Sequence, residues 1–415
     1  VSALLADPAA DPAAVVTGPI TGSVTGRAVA NSEYIQQFGA WEVLKSIDAF
    51  VNDLSIARKW TGGKVTVGYY SASSSNDEVW SLGNTKYQVV QRGGEVVTGI
   101  ACNDPAIDSC NFNFDLDATG DATTRAFYAA ATFDATDVLT FDVGVRAEKH
   151  NLQYSADTNR DGLVDFTVDF DKSKVSWTGA ANYRFTDNIG AFARINRGYR
   201  MPYFDDFRDN SVAFLNGNDL IQKVEQYELG FKYATRNIGF YATGYYTKVD
   251  PSIFVALSGQ TPGEISTNEA KGIEIDGTYT MTNGFAVTLN GTWQNAEIKK
   301  GVNAGKEAQR QPKWQLRVSP SYLWTVGGTD LTVYGALSAV GDRFADNANT
   351  VVLDGYEKVD VGAIARINGA FKLQLAVDNL TDKQALTEGD PRNPASPNGR
   401  FILPRSVVIS VGYDF

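Results

Sequence analysis

The sequence is nearly without histidine, cysteine and methionine: its 415 residues include 1 His, 2 Cys and 2 Met. A Ser-His-Asp or Cys-His arrangement would therefore rest on His150 alone, beside a predicted loop. Basic excess is also missing, with 37 Lys and Arg against 48 Asp and Glu, a formal charge of −11. Nucleic-acid binding needs the opposite balance, so that class is excluded. No stretch approaches the roughly 18 uncharged apolar residues of a membrane helix, which excludes a helical membrane protein. The opening VSALLADPAADPAAVV has no initiator Met, basic n-region or compact apolar core, and reads as a mature or truncated end. GPITGSVTG at 18–26 is Gly-rich but lacks the Gly-Lys-Ser/Thr of a phosphate loop. Long helical periodicities are missing too. No catalytic residue is assigned, and no cofactor beyond a structural calcium discussed below.

Aromatic residues and glycine are what the chain has in quantity: Tyr 19, Phe 22, Trp 7 and Gly 39. Period-2 alternation recurs along it. In 285–293 the set Phe285, Val287, Leu289, Gly291, Trp293 opposes Ala286, Thr288, Asn290, Thr292. Segments 174–185, 313–324, 371–377 and 407–415 repeat the pattern. Fifteen such runs can be counted between 49 and 415, most of about 11–15 residues where globular strands average ~5–6. Tyr87 to Ile100 is a further strand candidate, and an odd count is awkward for an antiparallel barrel.

Connections between the runs alternate in length. Short turns fall at 134–137, 186–188, 235–237, 282–284, 327–329 and 368–370. Long polar connections fall at 100–122, 150–172, 200–222, 254–264, 299–311, 344–354 and 381–402. Segregated short and long connections are what a transmembrane β-barrel has, with tight periplasmic turns and long extracellular loops. Arg184, Glu228, Lys232, Arg317, Asp360 and Lys372 fall on the polar sides, which a packed sandwich core would reject but a lumen accepts. Tyr183, Phe185, Tyr233, Tyr279, Tyr322, Trp324 and Tyr413 gather near the short turns, where an interfacial girdle is expected. The predicted fold is all-β, an antiparallel transmembrane barrel over 49–415, with 1–48 an irregular segment or loop remnant.

RGYRMPYFDDF at 197–207, VEQYELGFKY at 224–233, NEAKGIEIDGTY at 268–279, DNLTDKQAL at 378–386 and PRSVVISVGYDF at 404–415 together resemble the late barrel of TonB-dependent outer-membrane receptors. The resemblance implies a Gram-negative outer-membrane location, contact with outer-membrane lipids, and uptake of a siderophore, sugar, peptide or cobalamin-like ligand. It also implies energy from the TonB system through a plug, to which nothing before residue 49 is similar. Such receptors carry twenty-two strands, so the expectation is the C-terminal portion of one. Terminal Phe415 is similar to an outer-membrane assembly signal. Alternatives are a passive porin-like or structural barrel and a soluble β-rich carbohydrate-binding protein.

Four groups are candidate sites. Cys102 and Cys110, eight residues apart in a predicted outer loop, are a candidate disulfide, with two free thiols as the alternative. Asp157, Asn159, Asp161 and Asp165, with Gly162 at the turn, resemble part of a calcium loop, although Val168 stands where a bidentate Glu belongs. A solvated acidic loop is the plainer reading. Tyr199, Tyr203, Phe204, Phe207 and Phe214 are candidates to stack on a ligand or to pack the loop against the wall. Asp104, Asp108, Asp115, Asp117, Asp121, Asp205, Asp206 and Asp209 predict a negatively lined mouth that disfavours anionic chelates.

Overall fold

Alternating sequence, tight turns and an apolar face that must meet another apolar phase produce a wall of long antiparallel strands. The structure is a computed structural model, and it describes residues 3–5, 14–30, 33–39, 41–82, 85–102, 114–218, 220–254, 264–390 and 398–413. The first strands are β1 (Ala3–Leu5), β2 (Ala14–Gly22), β3 (Tyr34–Gly39), β4 (Glu42–Trp60), β5 (Gly63–Leu82), β6 (Thr85–Val89) and β7 (Val96–Cys102). Next come β8 (Phe114–Thr136), β9 (Leu139–Asp157), β10 (Phe166–Arg184), β11 (Ile189–Arg200), the helix α1 (Phe204–Leu215), β12 (Gln222–Ala234), β13 (Ile238–Phe254), β14 (Glu264–Thr280) and β15 (Phe285–Lys300). The rest are β16 (Trp314–Val326), β17 (Thr329–Val340), β18 (Arg343–Phe344), β19 (Val352–Leu353), β20 (Tyr356–Ile367), β21 (Phe371–Asp378), β22 (Leu386–Asp390), β23 (Asn398–Phe401) and β24 (Ser406–Tyr413).

Fifteen of these form one antiparallel sheet, from β24 through β21, β20 and β17 down to β8, β5 and β4. Pairing register gives every side chain a face. Asp276 stands opposite Asn290 and Asn290 opposite Arg317, with a hydrogen bond from Asn290 Nδ2 to Asp276 Oδ1. One residue along, Ile275, Gly291 and Leu316 share the other face. The polar face is the lumen and the apolar face meets lipid. At the turn end, Phe285 opposes Tyr322, Phe371 opposes Tyr413, and the rings of Phe133 and Phe141 lie 5.5 Å apart. This is the expected girdle. Arginine on the two faces should behave differently. In the full-length receptor in lipid vesicles, Ile275→Arg is expected to cost about 2–4 kcal/mol of folding free energy, and Thr288→Arg on the lumen face close to nothing. A larger loss for Thr288→Arg than for Ile275→Arg in urea unfolding would reverse the assignment of faces.

Three sequence expectations change. The first wall strand begins at Glu42 rather than 49, and the described residues before it include three strands: β1, β2 and β3 join β6 and β7 in a separate five-stranded sheet. Ile35, Tyr87, Val89 and Val97 form its core, so the Tyr87 to Ile100 candidate belongs to this small sheet and not to the wall. Connections 100–122 and 150–172 also shrink, because β8, β9 and β10 run far past the apolar band. Phe415 lies outside the described residues.

Candidate functional site

α1 was not expected from periodicity, because only Phe204, Phe207 and Phe214 mark its apolar side over twelve residues. Asp206 begins it: its carboxylate accepts the Tyr203 N–H at 2.8 Å and takes Arg200 in three further hydrogen bonds. An acid in the first turn also suits the helix dipole. The helix packs on the lumen face of β8, β9 and β10. There Leu116, Leu152, Tyr154, Val168 and Phe170 enclose Phe204 and Phe207, which are both fully buried. Gly120 is required at that contact, since a Cβ on it would lie 2.6 Å from the Phe204 ring.

A charged knot fixes the helix laterally. Glu78, with a fully buried side chain, faces Lys45 at 3.2 Å and Arg208 at 3.4 Å, and accepts from Tyr154 Oη and Trp80 Nε1 at 3.0 Å each. Lys45 also reaches Asp205 at 2.6 Å. Arg208 bridges Asp205 and Asp209 and lies 4.3 Å over the Trp80 ring. Burial works against charge on Asp205, but Lys45 and Arg208 outweigh it and hold the carboxyl below its ordinary range. Arg208 is likewise pushed upward, its carboxylate neighbours overcoming burial.

The site candidates therefore divide. Phe204 and Phe207 have no face left for a ligand: their rings are spent on docking α1 to the wall. Phe214 packs edge-on against Phe207 at 5.0 Å, and Tyr199 joins the same cluster with Lys174 Nζ 5.4 Å from its ring. Tyr203 is the most open of the five, its hydroxyl 2.6 Å from Ser74 Oγ, while Tyr199 and Phe214 are partly buried. The negative mouth is also corrected. Asp205, Asp206 and Asp209 are each matched by a cation, while Asp117 and Asp121 sit on the outward face of β8. Asp104 and Asp108 lie outside the described residues.

The calcium candidates lie together in one turn between β9 and β10. Asp157 spends its carboxylate on the N–H groups of Asn159, Arg160, Asp161 and Gly162, and Asp165 takes Thr158 through its N–H and hydroxyl. The loop closes on itself, and no cluster of three His, Cys, Asp or Glu positioned for a metal occurs among the described residues. Cys110 and the side chain of Cys102 lie outside the described residues.

Residues missed by sequence reasoning are lumen cations. Lys172 and Lys174 stand opposite His150 and Glu148 on the inward face of β10, two and four residues along from Phe170, whose ring lies 5.6 Å from Phe207 of α1. Neither makes an ion pair among the described residues, whereas Arg146 is held by Glu148 at 2.6 Å and Arg194 lies 3.9 Å from Glu228. The inward parity of β10, readable from Val175 and Trp177, was the available signal.

A long-stranded antiparallel wall with a lipid-facing apolar band, a polar lumen and a loop helix lodged at its mouth defines a transmembrane β-barrel of the receptor type. Residues 22–380 match the family described as TonB dependent receptor-like, beta-barrel, and the chain belongs to that family. It is 25% identical over 72% of its length to the pesticin receptor of Yersinia enterocolitica, covering 45% of that protein. It is 21% identical over 75% of its length to the probable TonB-dependent siderophore receptor PiuA of Acinetobacter baumannii, covering 43% of it. The ferric yersiniabactin uptake receptor FyuA of Yersinia pestis superposes with a TM-score of 0.71 at 19% identity, over 92% of this chain and 57% of that one. The chain spans about half the length of the curated relatives it matches.

Proposed function

We propose that the chain is the wall and loop-end site of an outer-membrane receptor that takes up an anionic metal chelate of the ferric-siderophore type. Its family and the names of its relatives support the receptor class. The observation that carries the ligand class is the lumen cations Lys172 and Lys174, which make no ion pair among the described residues, with the loop acids neutralised by their own partners. Exposed cations add modest affinity each and discriminate strongly by charge. Lipid contact follows from the outward apolar band. Energy from the TonB system would reach the site through parts of the receptor beyond this wall. A passive pore is the weaker reading, because α1 lodges in the lumen where a pore is open.

The test is ligand binding by the full-length receptor. A ferric tris-catecholate should bind with Lys172→Ala/Lys174→Ala raising Kd about tenfold, equivalent to about 1.4 kcal/mol. A neutral ferric hydroxamate should bind wild type and variant alike. Preference for the neutral chelate would sink the ligand class and restore neutral sugars or peptides.

A further inference from the structure

We propose that the outer face of β8 and β9 holds the phosphate of a membrane lipid headgroup between Arg125 and Lys149. The inference rests on the reading that this face meets lipid. Register sets Arg125 directly opposite Lys149, both outward and exposed. Side chains opposed across an antiparallel pair lie ~4.5–5.5 Å apart at Cβ, where like charges repel. Lys149 reaches Asp171 at 3.0 Å, but both are half-exposed, and such pairs are worth little. No ion pair forms at Arg125 among the described residues. The position therefore has a cationic surplus that an anion relieves.

Its neighbours identify the source of that anion. The row below is apolar, with Tyr69 and Phe127 paired across β5 and β8 at 4.9 Å and Phe127 70% exposed. Ser71 flanks Arg125 in its own row, and Thr123, Asn151 and Asp171 form the row above, where Asp171 offsets part of the Lys149 charge and leaves Arg125 as the uncompensated cation. Two rows above stand Asp121 and Asp169, both outward. Those carboxylates repel an anion approaching from solution. A phosphate carried on a lipid arrives instead from the membrane plane, its chains along the Phe127 band and its −1.5 to −2 charges at the two cations. The Ser71 hydroxyl adds a donor in the same row as the two cations.

Native mass spectrometry of the full-length receptor in detergent tests this, with dioleoyl phosphatidic acid and dioleoyl phosphatidylcholine as probes. Wild type should retain the phosphatidic acid about tenfold better than the phosphatidylcholine. Arg125→Gln/Lys149→Gln should lose that preference, and Lys313→Gln at a loop should keep it. Millimolar inorganic phosphate should not displace the lipid. An unchanged preference in the double variant overturns the proposal. Displacement by inorganic phosphate also overturns it, in favour of a free-anion site. Heat-modifiable gel migration of each variant reports folding. Catecholate binding by the double variant should stay at wild-type level; a receptor that binds no chelate yet loses lipid preference on substitution sinks the uptake reading and leaves this one standing.

Discussion

Replacing Arg208 with Ala should raise amide exchange across α1 by about 100-fold or more while leaving the wall strands at wild-type protection. The guanidinium is 9% exposed and serves Glu78, Asp205 and Asp209 together. Glu78 has no exposure at all, so the variant strands a buried carboxylate beside Lys45 as its last cation. Breaking a buried pair from one side costs about 3–5 kcal/mol, and every 1.4 kcal/mol is tenfold. The loss is local because α1 is a loop insertion between β11 and β12, while the wall keeps its own ladder. Phe204→Ala should act in the same direction through the cavity it leaves, about 3–5 kcal/mol for a fully buried ring. Acid should loosen α1 in the same direction through Asp205. Asp205 has a folded pKa below its unfolded value, so its contribution is complete above about pH 4 and falls away as pH drops through the folded pKa. Exchange in α1 that ignores both substitutions would mean the helix is held by something other than this knot.

The wall was legible because its signal is local. Trp293 and Leu316 declare an outward face within their own strands, and the alternation needs no partner to be read. The mouth was not legible, because its chemistry joins distant positions. Asp205 reads as a bare acid in sequence and is neutralised by Lys45, 160 residues away. Arg208 looks like the sole cation among loop acids, yet it reaches Glu78 across 130 residues. Phe204 and Phe207 carried the right apolar signal, and only the wall they meet decides between packing and ligand contact. Asp117 and Asp121 were a different failure: the parity of β8, set by Phe127 and Phe133, already turned them away from the lumen. Asp157 and Asp165 resemble a metal loop in composition, and their carboxylates accept hydrogen bonds from within their own turn, which composition does not show. Strand pattern thus predicts which face a residue occupies better than which role it has there.

The two sheet edges carry the second large effect. β4 runs from the loop end down to Trp60 at its turn, and β24 runs down to Tyr413, which stands opposite Phe371 beside another turn. Both edges therefore point the same way, and direct pairing between them would be parallel. No pairing between β4 and β24 occurs among the described residues. In hydrocarbon an unpaired backbone group costs several kcal/mol, so an open edge across ~10 residues costs on the order of tens of kcal/mol. An all-antiparallel closure needs an odd number of further strands between these edges, the one beside β4 running upward from turn end to loop end. The expected result is all-or-none. The 415-residue chain alone should stay protease-sensitive and outside lipid vesicles, and a form supplying an odd number of such strands should insert and migrate as a heat-modifiable barrel. A disulfide between Leu54→Cys and Ile409→Cys in an inserted, protease-resistant 415-residue chain would show parallel closure instead, and the odd-strand requirement would fall.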